Sequence, residues 1–293
     1  MSRWQGKSKG TPLGYRIFVS VCRKLGLAPA YLLLHFVAFY YFLFSSASSK
    51  TIYRYFRDRH HLGRTKAFFK IYGNYYLLGQ TLIDKMVVMA SLKNKFTYHF
   101  DGMENLRQVA GSGKGGILLS AHVGNWEMAG HHLWQLNSKI NVVMFDGEHE
   151  RIKVLLNQLG KKNSNVIIIK DDMSHVYAIG AALANRELVC MHADRFLAHN
   201  KTIGLELLGA KALFPAGPFQ LAAGFNVPVS FVYGFRERNW HYHFFGSPMI
   251  QRDASERKSD FAVRLAGLYV SDLERKVRRY PEQWFNYYDF WTE

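Results

Sequence analysis

The sequence predicts an α/β fold, a three-layer sandwich with a mainly parallel central sheet, preceded by an N-terminal membrane-associated helical segment. Short apolar runs at 116–120, 141–145, 166–169, 188–192 and 227–233 alternate with stretches of helical spacing, the pattern of a sheet covered by helices on both faces. Ahead of them lie an uncharged run at 27–47 and an aromatic-rich helical pattern at 51–92. The 293 residues are accounted for by one α/β catalytic domain at 51–293 and an attachment segment at 1–50, without a second core.

The first 26 residues carry Arg3, Lys7, Lys9, Arg16, Arg23 and Lys24 and no acid. The uncharged run that follows is longer than the apolar stretch of a signal peptide and lacks a convincing small-x-small cleavage site directly after it, so it reads as mature sequence. Its length is close to the ~20 residues that span a bilayer, but Pro29 and His35 interrupt it and Lys50, Arg54, Arg57 and Arg59 follow. Positive charge on both flanks leaves orientation open. A span, a helix lying in the interface against anionic head groups, and a buried helix of the domain all remain open at this point.

Over 51–92, Tyr55, Phe56, Phe68, Phe69, Tyr72, Tyr76 and Leu77 recur at spacings of three and four, which reads as a core-facing stripe. Further helices are expected near 126–136, 150–159, 174–185 and 218–223, and an amphipathic helix at 261–278, after which Pro281 opens an aromatic tail. No internal repeat or low-complexity linker is present.

Apolar residues make up 48% and aromatics 15% of the chain, enough for a large core and outside the range of disorder. The formal charge of +16 predicts a polyanionic partner: nucleic acid, anionic lipid or an acidic carrier protein. No compact Lys/Arg block, zinc-finger spacing or RNA-binding aromatic signature occurs, so nucleic acid is not expected. Cys22 and Cys190 stand far apart and encode neither a disulfide framework nor a CxxC site.

The stretch that carries chemistry is GGILLSAHVGNWEMAG at 115–130. A strand ends there and delivers His122, and sites in open α/β sheets assemble at the carboxyl ends of strands. An imidazole titrates near neutral pH and can take a proton from an attacking hydroxyl. Glu127, just inside the next helix, can hold the ring in one tautomer, and Gly124 allows a tight turn between them. Taken alone, a His and a Glu at this spacing are more often a surface pair; the surrounding residues decide otherwise.

The segment His122-Val-Gly-Asn-Trp-Glu127 resembles the HxxxxD/E motif, in its HxxxxE form, of the late acyltransferases of lipid A biosynthesis, within the lysophospholipid acyltransferase superfamily. The resemblance extends to the basic and apolar N-terminus, Asp194-Arg195 after a strand, FPAGPFQLAAGFNVPV at 214–229 and Pro281-Glu282-Gln283-Trp284. It implies an acyl thioester of acyl carrier protein or coenzyme A as donor, a lipid hydroxyl as acceptor, His122 as general base and Glu127 as its partner. No cofactor or metal is expected, and the catalytic domain is expected on the cytoplasmic face of the inner membrane among its phospholipids. The acceptor hydroxyl would attack the thioester directly, with backbone amides near Gly124 and Asn125 as candidate oxyanion donors.

Asn125, Asp194, Arg195, Gly217 and Pro218 are the expected substrate-binding residues. Arg195 suits a phosphate of acceptor or donor, although a structural ion pair explains it equally. Many lipid A enzymes have Asp followed by Gln here, so the Arg leaves acceptors other than lipid A open, an aminolipid or secondary metabolite among them. Phe214, Pro215, Gly217 and Pro218 are expected to shape the acyl pocket, with ordinary turn chemistry as the alternative.

Three features are set aside. GSGKGG at 111–116 precedes a strand, whereas a phosphate loop follows one, and it reads as a turn. The histidine pairs 60/61, 131/132 and 241/243 lack metal-site spacing. The aromatic tail with Tyr287, Tyr288, Phe290 and Trp291 fits an interfacial anchor or plain packing. Two rivals remain: a thioesterase on the same site, against which the missing GxSxG elbow counts, and a non-catalytic lipid-binding scaffold.

Overall fold

A computed structural model of the chain describes residues 12–145, 164–170, 172–197, 200–238 and 240–291. The chain begins with helices α1 (Pro12–Leu25), α2 (Leu27–Phe44) and α3 (Ser46–Arg54), a π turn at Tyr55–Arg59, and the long α4 (Arg64–Met89). Pro29 does not break α2 because it lies in the first turn, where its missing N–H has no intrahelical partner to lose.

The sheet-bearing part follows as β1 (Thr97–Asp101), α5 (Met103–Ala110), β2 (Gly116–Ser120), α6 (Trp126–His132) with a 3₁₀ turn at Leu133–Leu136, β3 (Ile140–Phe145), β4 (Ser164–Ile169), α7 (Ser174–Ala184) and β5 (Leu188–His192). A hairpin of β6 (Thr202–Leu207) and β7 (Ala210–Pro215), then α8 (Gly217–Phe225), β8 (Val229–Arg236), β9 (His241–Gly246), α9 (Lys258–Arg279) and a 3₁₀ turn at Pro281–Gln283 complete it. The helix expected at 150–159 lies outside the described residues.

The seven-stranded sheet has the order β1-β9-β8-β2-β5-β3-β4. Strands β8, β2, β5, β3 and β4 are parallel, and β9, antiparallel to β8, carries β1 parallel to itself at the edge. Strand β2 is buried along its whole length, as the interior strand of a parallel sheet must be, which is why it reads as an unbroken apolar run. Alternate residues feed opposite layers: Ile117, Leu119, Phe231, Tyr233 and Phe235 pack with Phe261, Leu265 and Tyr269 of α9, while Leu118 and Val232 pack with Leu106 and Val109 of α5. These are the three layers of the prediction.

Helix α2 lies against the domain. Leu27, Ala30, Tyr31 and Leu34 are buried in a cluster with Ile83, Met86 and Val87 of α4 and with Tyr242 and Phe244 of β9. A Cβ at Gly79 would overlap the Leu34 side chain, so the missing side chain is what lets the two helices approach. The opposite face of α2 exposes Leu32, Phe36, Phe39, Tyr40, Leu43 and Phe44. The aromatic tail packs: Phe290 is buried, Trp291 Nε1 donates to Leu207 O at 2.9 Å and the Tyr287 hydroxyl donates to Asn74 Oδ1 at 3.0 Å.

Candidate active site

The parallel register of β2 and β5 pairs Ser120 with His192. Residues two positions beyond each strand therefore leave the sheet side by side at its carboxyl edge. They are His122 and Asp194. Asp194 Oδ2 accepts from the His122 backbone N–H at 2.9 Å, and Oδ1 lies 2.8 Å from ring Nδ1. Asp194 is 1% exposed.

Burial alone would raise the Asp194 carboxyl, but the charge and hydrogen bond of His122, then Arg195 and His192, outweigh it and hold the group well below the usual carboxylate range. An ionised carboxylate only accepts hydrogen bonds, so Nδ1 carries the proton and Nε2 is left with the lone pair of a base. The ring-orienting contact thus comes from Asp194, not from Glu127 as the sequence spacing suggests. Both Asp194 oxygens are committed to His122, which removes it from the surface a substrate would touch.

His192 packs against His122 with ring centroids 4.2 Å apart and planes tilted by 36°, and Trp126 meets His192 edge-on at 4.4 Å. Burial first, and the neighbouring His122 second, push His192 well below the usual histidine range, so it stays neutral. It presents an uncharged wall to the ring of His122.

Glu127 sits in the first turn of α6 and is ion-paired to Lys85 of α4, with each side chain only 11% exposed. The acid at a helix start is favoured by the helix dipole, and the lysine fixes its direction. Lys85 carries no motif and went unnoticed in the sequence.

The loop between His122 and α6 is held by the C-terminal segment. Gly124 N donates to Gln283 O at 2.7 Å, Asn125 N donates to Gly234 O at 2.7 Å, and Val123 forms a bridge with Trp284. These bonds correct the expectation that the Gly124 and Asn125 amides serve as oxyanion donors, because each already gives its one hydrogen to a main-chain carbonyl. Asn125 is likewise withdrawn from substrate. It is 1% exposed and caps α6, its Oδ1 accepting from Met128 N at 3.3 Å while Nδ2 donates to Thr81 O at 3.2 Å and to the Tyr242 hydroxyl at 3.3 Å.

Gly124 has φ 59°, and a Cβ there would overlap the Gly234 carbonyl oxygen. Gly124→Ala is expected to cost about 1–2 kcal/mol from the left-handed backbone alone, with the overlap added. The measurement is the thermal midpoint together with acyl transfer. A lower midpoint with most activity lost is expected, and an unchanged variant would show that the loop shifts freely.

Arg195 Nη2 donates to Phe285 O at 2.9 Å, which favours its structural reading as a staple for the tail. Gly217 is exposed and Pro218 half-buried at the first turn of α8. Phe214 is fully buried against Tyr269 and Phe290, so it is core. Gln283, seen in the sequence only as part of a closing motif, accepts from Arg236 N at 2.9 Å and donates to Arg236 O at 2.7 Å. It clamps the end of β8 to the His122 loop.

Comparison with known proteins gives one family. No curated protein matches the chain. Among solved structures, the chain is similar to the 1-acyl-sn-glycerophosphate (LPA) acyltransferase PlsC from Thermotoga maritima at 14% identity and a TM-score of 0.44, over 92% of this chain and 100% of that one. A likeness at that level carries no argument about chemistry. The family model for bacterial lipid A biosynthesis acyltransferases matches residues 72–291, a span that includes His122, Glu127, Asp194 and the closing Pro281–Trp284 segment. The chain therefore belongs to the bacterial lipid A biosynthesis acyltransferase family and is an acyltransferase that acts on a lipid acceptor.

Proposed function

We propose that the enzyme moves a fatty acyl chain from an acyl thioester, carried by acyl carrier protein or coenzyme A, to a hydroxyl of a lipid A precursor or a related lipid. The observation that carries this reading is the His122–Asp194 pair, with Nδ1 held at 2.8 Å by a buried carboxylate and Nε2 left as the base. His122 Nε2 takes the acceptor's hydroxyl proton as its oxygen attacks the thioester carbonyl carbon. The tetrahedral oxyanion collapses, the C–S bond breaks, and the imidazolium returns the proton to the departing thiolate. Asp194 stabilises the imidazolium between these two steps, and no cofactor enters the balance.

With the loop amides committed elsewhere, we assign the developing oxyanion charge to the Lys85 ammonium, which Glu127 holds in place. Glu127 thus stays in the catalytic set through Lys85. Lys85→Met is expected to lower kcat by about two to three powers of ten, the usual loss for one oxyanion donor, with Lys85→Arg partly restoring it. Equal activity in both variants would remove Lys85 from the mechanism. Gly217 and Pro218 open α8, the helix that leads into β8 beside β2, and we keep them as candidate substrate-binding residues on the likeness of that segment to the family.

The N-terminal division at 1–50 fits attachment to the cytoplasmic face of the inner membrane. Helix α2 is long and apolar enough to cross a membrane. Its docking on α4 and its exposed aromatic face favour a helix held against the domain with its outer side in lipid. The charge of +16 would hold the protein on anionic phospholipids and steer an acidic carrier protein.

The test is transfer from a radiolabelled acyl-carrier-protein thioester into total membrane lipids by wild type, His122→Ala and Glu127→Ala at matched loading. A discrete labelled lipid, lost in both folded variants, is expected and identifies the acceptor, lipid A precursor or aminolipid. Label appearing only as free fatty acid would establish a thioesterase, and variants equal to wild type would overturn the site.

A further inference from the structure

We propose that His99, Asp101 and His243 form a binding site for one divalent first-row transition ion, zinc by preference, at the edge of the central sheet. Backbone geometry alone brings the three together. His99 and Asp101 are two apart on β1 and point to the same face, and the parallel register pairs His99 directly with His243 of β9. His99 Nε2 lies 3.0 Å from Asp101 Oδ1, and His243 Nε2 lies 2.8 Å from Asp101 Oδ2. One ligand atom from each residue falls within 4.8 Å of the others.

The second ring nitrogen of His243 is held from behind, its Nδ1 lying 3.3 Å from Glu237 Oε1, which also accepts from the Tyr280 hydroxyl at 2.5 Å. A carboxylate behind a ligating imidazole is also the usual outer support of a zinc-bound histidine, fixing its tautomer and orientation.

The donor set of two imidazoles and one carboxylate selects ions such as zinc over magnesium or calcium, which prefer oxygen throughout. Tetrahedral zinc with bonds near 2.0–2.1 Å places its ligands about 3.3 Å apart. The present separations need only small shifts, and exposed His99 and Asp101 can make them. Water would complete the shell on the open side. Two cations stand nearby: Arg279 Nη2 lies 3.5 Å from Glu237 Oε1, and Lys276 Nζ sits 3.6 Å over the Phe245 ring. Both weaken binding by charge repulsion.

A bound ion would cross-link edge strand β1 to β9, adding to the backbone bonds and to the Thr97 Oγ1–His241 Nδ1 contact of 2.7 Å on that side. The other group with a suitable donor set, His122, His192 and Asp194, belongs to the acyl-transfer site, and its carboxylate is already used twice by His122. The histidine spacings in the sequence did not suggest the edge site because two of its ligands meet the third only after β1 pairs with β9.

The test is zinc titration of the tag-free, chelator-treated full chain in detergent, by calorimetry and by cobalt absorption, with thermal midpoints in parallel. Wild type is expected to bind one equivalent of zinc and to gain roughly 5 °C at zinc a hundredfold above its Kd. His99→Ala and Asp101→Asn, both at exposed positions that leave the core intact, are expected to weaken binding at least tenfold and to abolish the gain. His122→Ala is expected to retain both. Absence of binding, binding undiminished in His99→Ala and Asp101→Asn, or loss of binding in His122→Ala alone would each overturn the proposal.

Discussion

Replacing His122 by alanine is expected to lower acyl transfer by roughly two to four powers of ten, and Asp194→Asn is expected to approach that loss without unfolding the protein. The carboxylate accepts two hydrogen bonds, from the His122 backbone N–H and from ring Nδ1–H. An asparagine offers one carbonyl oxygen and one NH₂. Whichever way the amide turns, one donor faces another donor, so either the loop or the ring must rotate, and the base is lost from its place.

The pH profile separates this role from a purely structural one. Because the Asp194 carboxyl is held well below the usual carboxylate range in the folded protein, its contribution to stability is fully present above the unfolded value of about 3.9. That contribution is lost only as pH falls through the lower folded value. The acid limb of kcat/KM near neutrality therefore belongs to an imidazole and not to Asp194. In Asp194→Asn the imidazolium loses its anionic neighbour, so the limb is expected to move to lower pH while the plateau falls. A lower plateau with the limb unmoved would mean that His122 is not the titrating base.

Much of this was legible in the sequence where periodicity or a local motif carried the information. The interior strands β2, β3, β5 and β8 announce themselves as apolar runs because both of their faces are covered, and edge strand β4 is legible from the Val-Ile-Ile-Ile run at 166–169. Edge strand β1 was not seen, since TYHFD alternates exposed and half-buried residues and contains two of the polar side chains that meet His243. The HVGNWE segment pointed to His122, but spacing along one chain favoured Glu127 as the ring's partner. The contact with Asp194 depends on which strand lies beside β2, and strand order is a tertiary property. Lys85, Asp84 and the role of Gln283 were hidden for the same reason: each acts across elements distant in sequence.

The largest loss of stability is expected from Asp84→Ala. Asp84 is fully buried in α4, and its carboxylate accepts from Tyr31 of α2, from the Tyr242 hydroxyl at 2.5 Å and from Arg236 Nε at 3.1 Å. Burial raises its pKa, and Arg236 with the hydroxyl donors opposes that rise. Removing the carboxylate leaves a largely buried guanidinium without its counter-charge, a change that costs about 3–5 kcal/mol, or roughly 10 °C in the thermal midpoint for a domain of this size. The loss should reach the active site. Arg236 brackets Gln283, which holds the Gly124 amide, and Tyr242 meets the Asn125 cap. Pairing Asp84→Leu with Arg236→Met removes both charges together and is expected to recover much of the midpoint while leaving acyl transfer impaired, because the bonds from Tyr31 and Tyr242 remain broken. If Asp84→Ala instead shifts the midpoint by less than about 2 °C, Arg236 has found solvent and α2 is held on α4 by apolar packing alone.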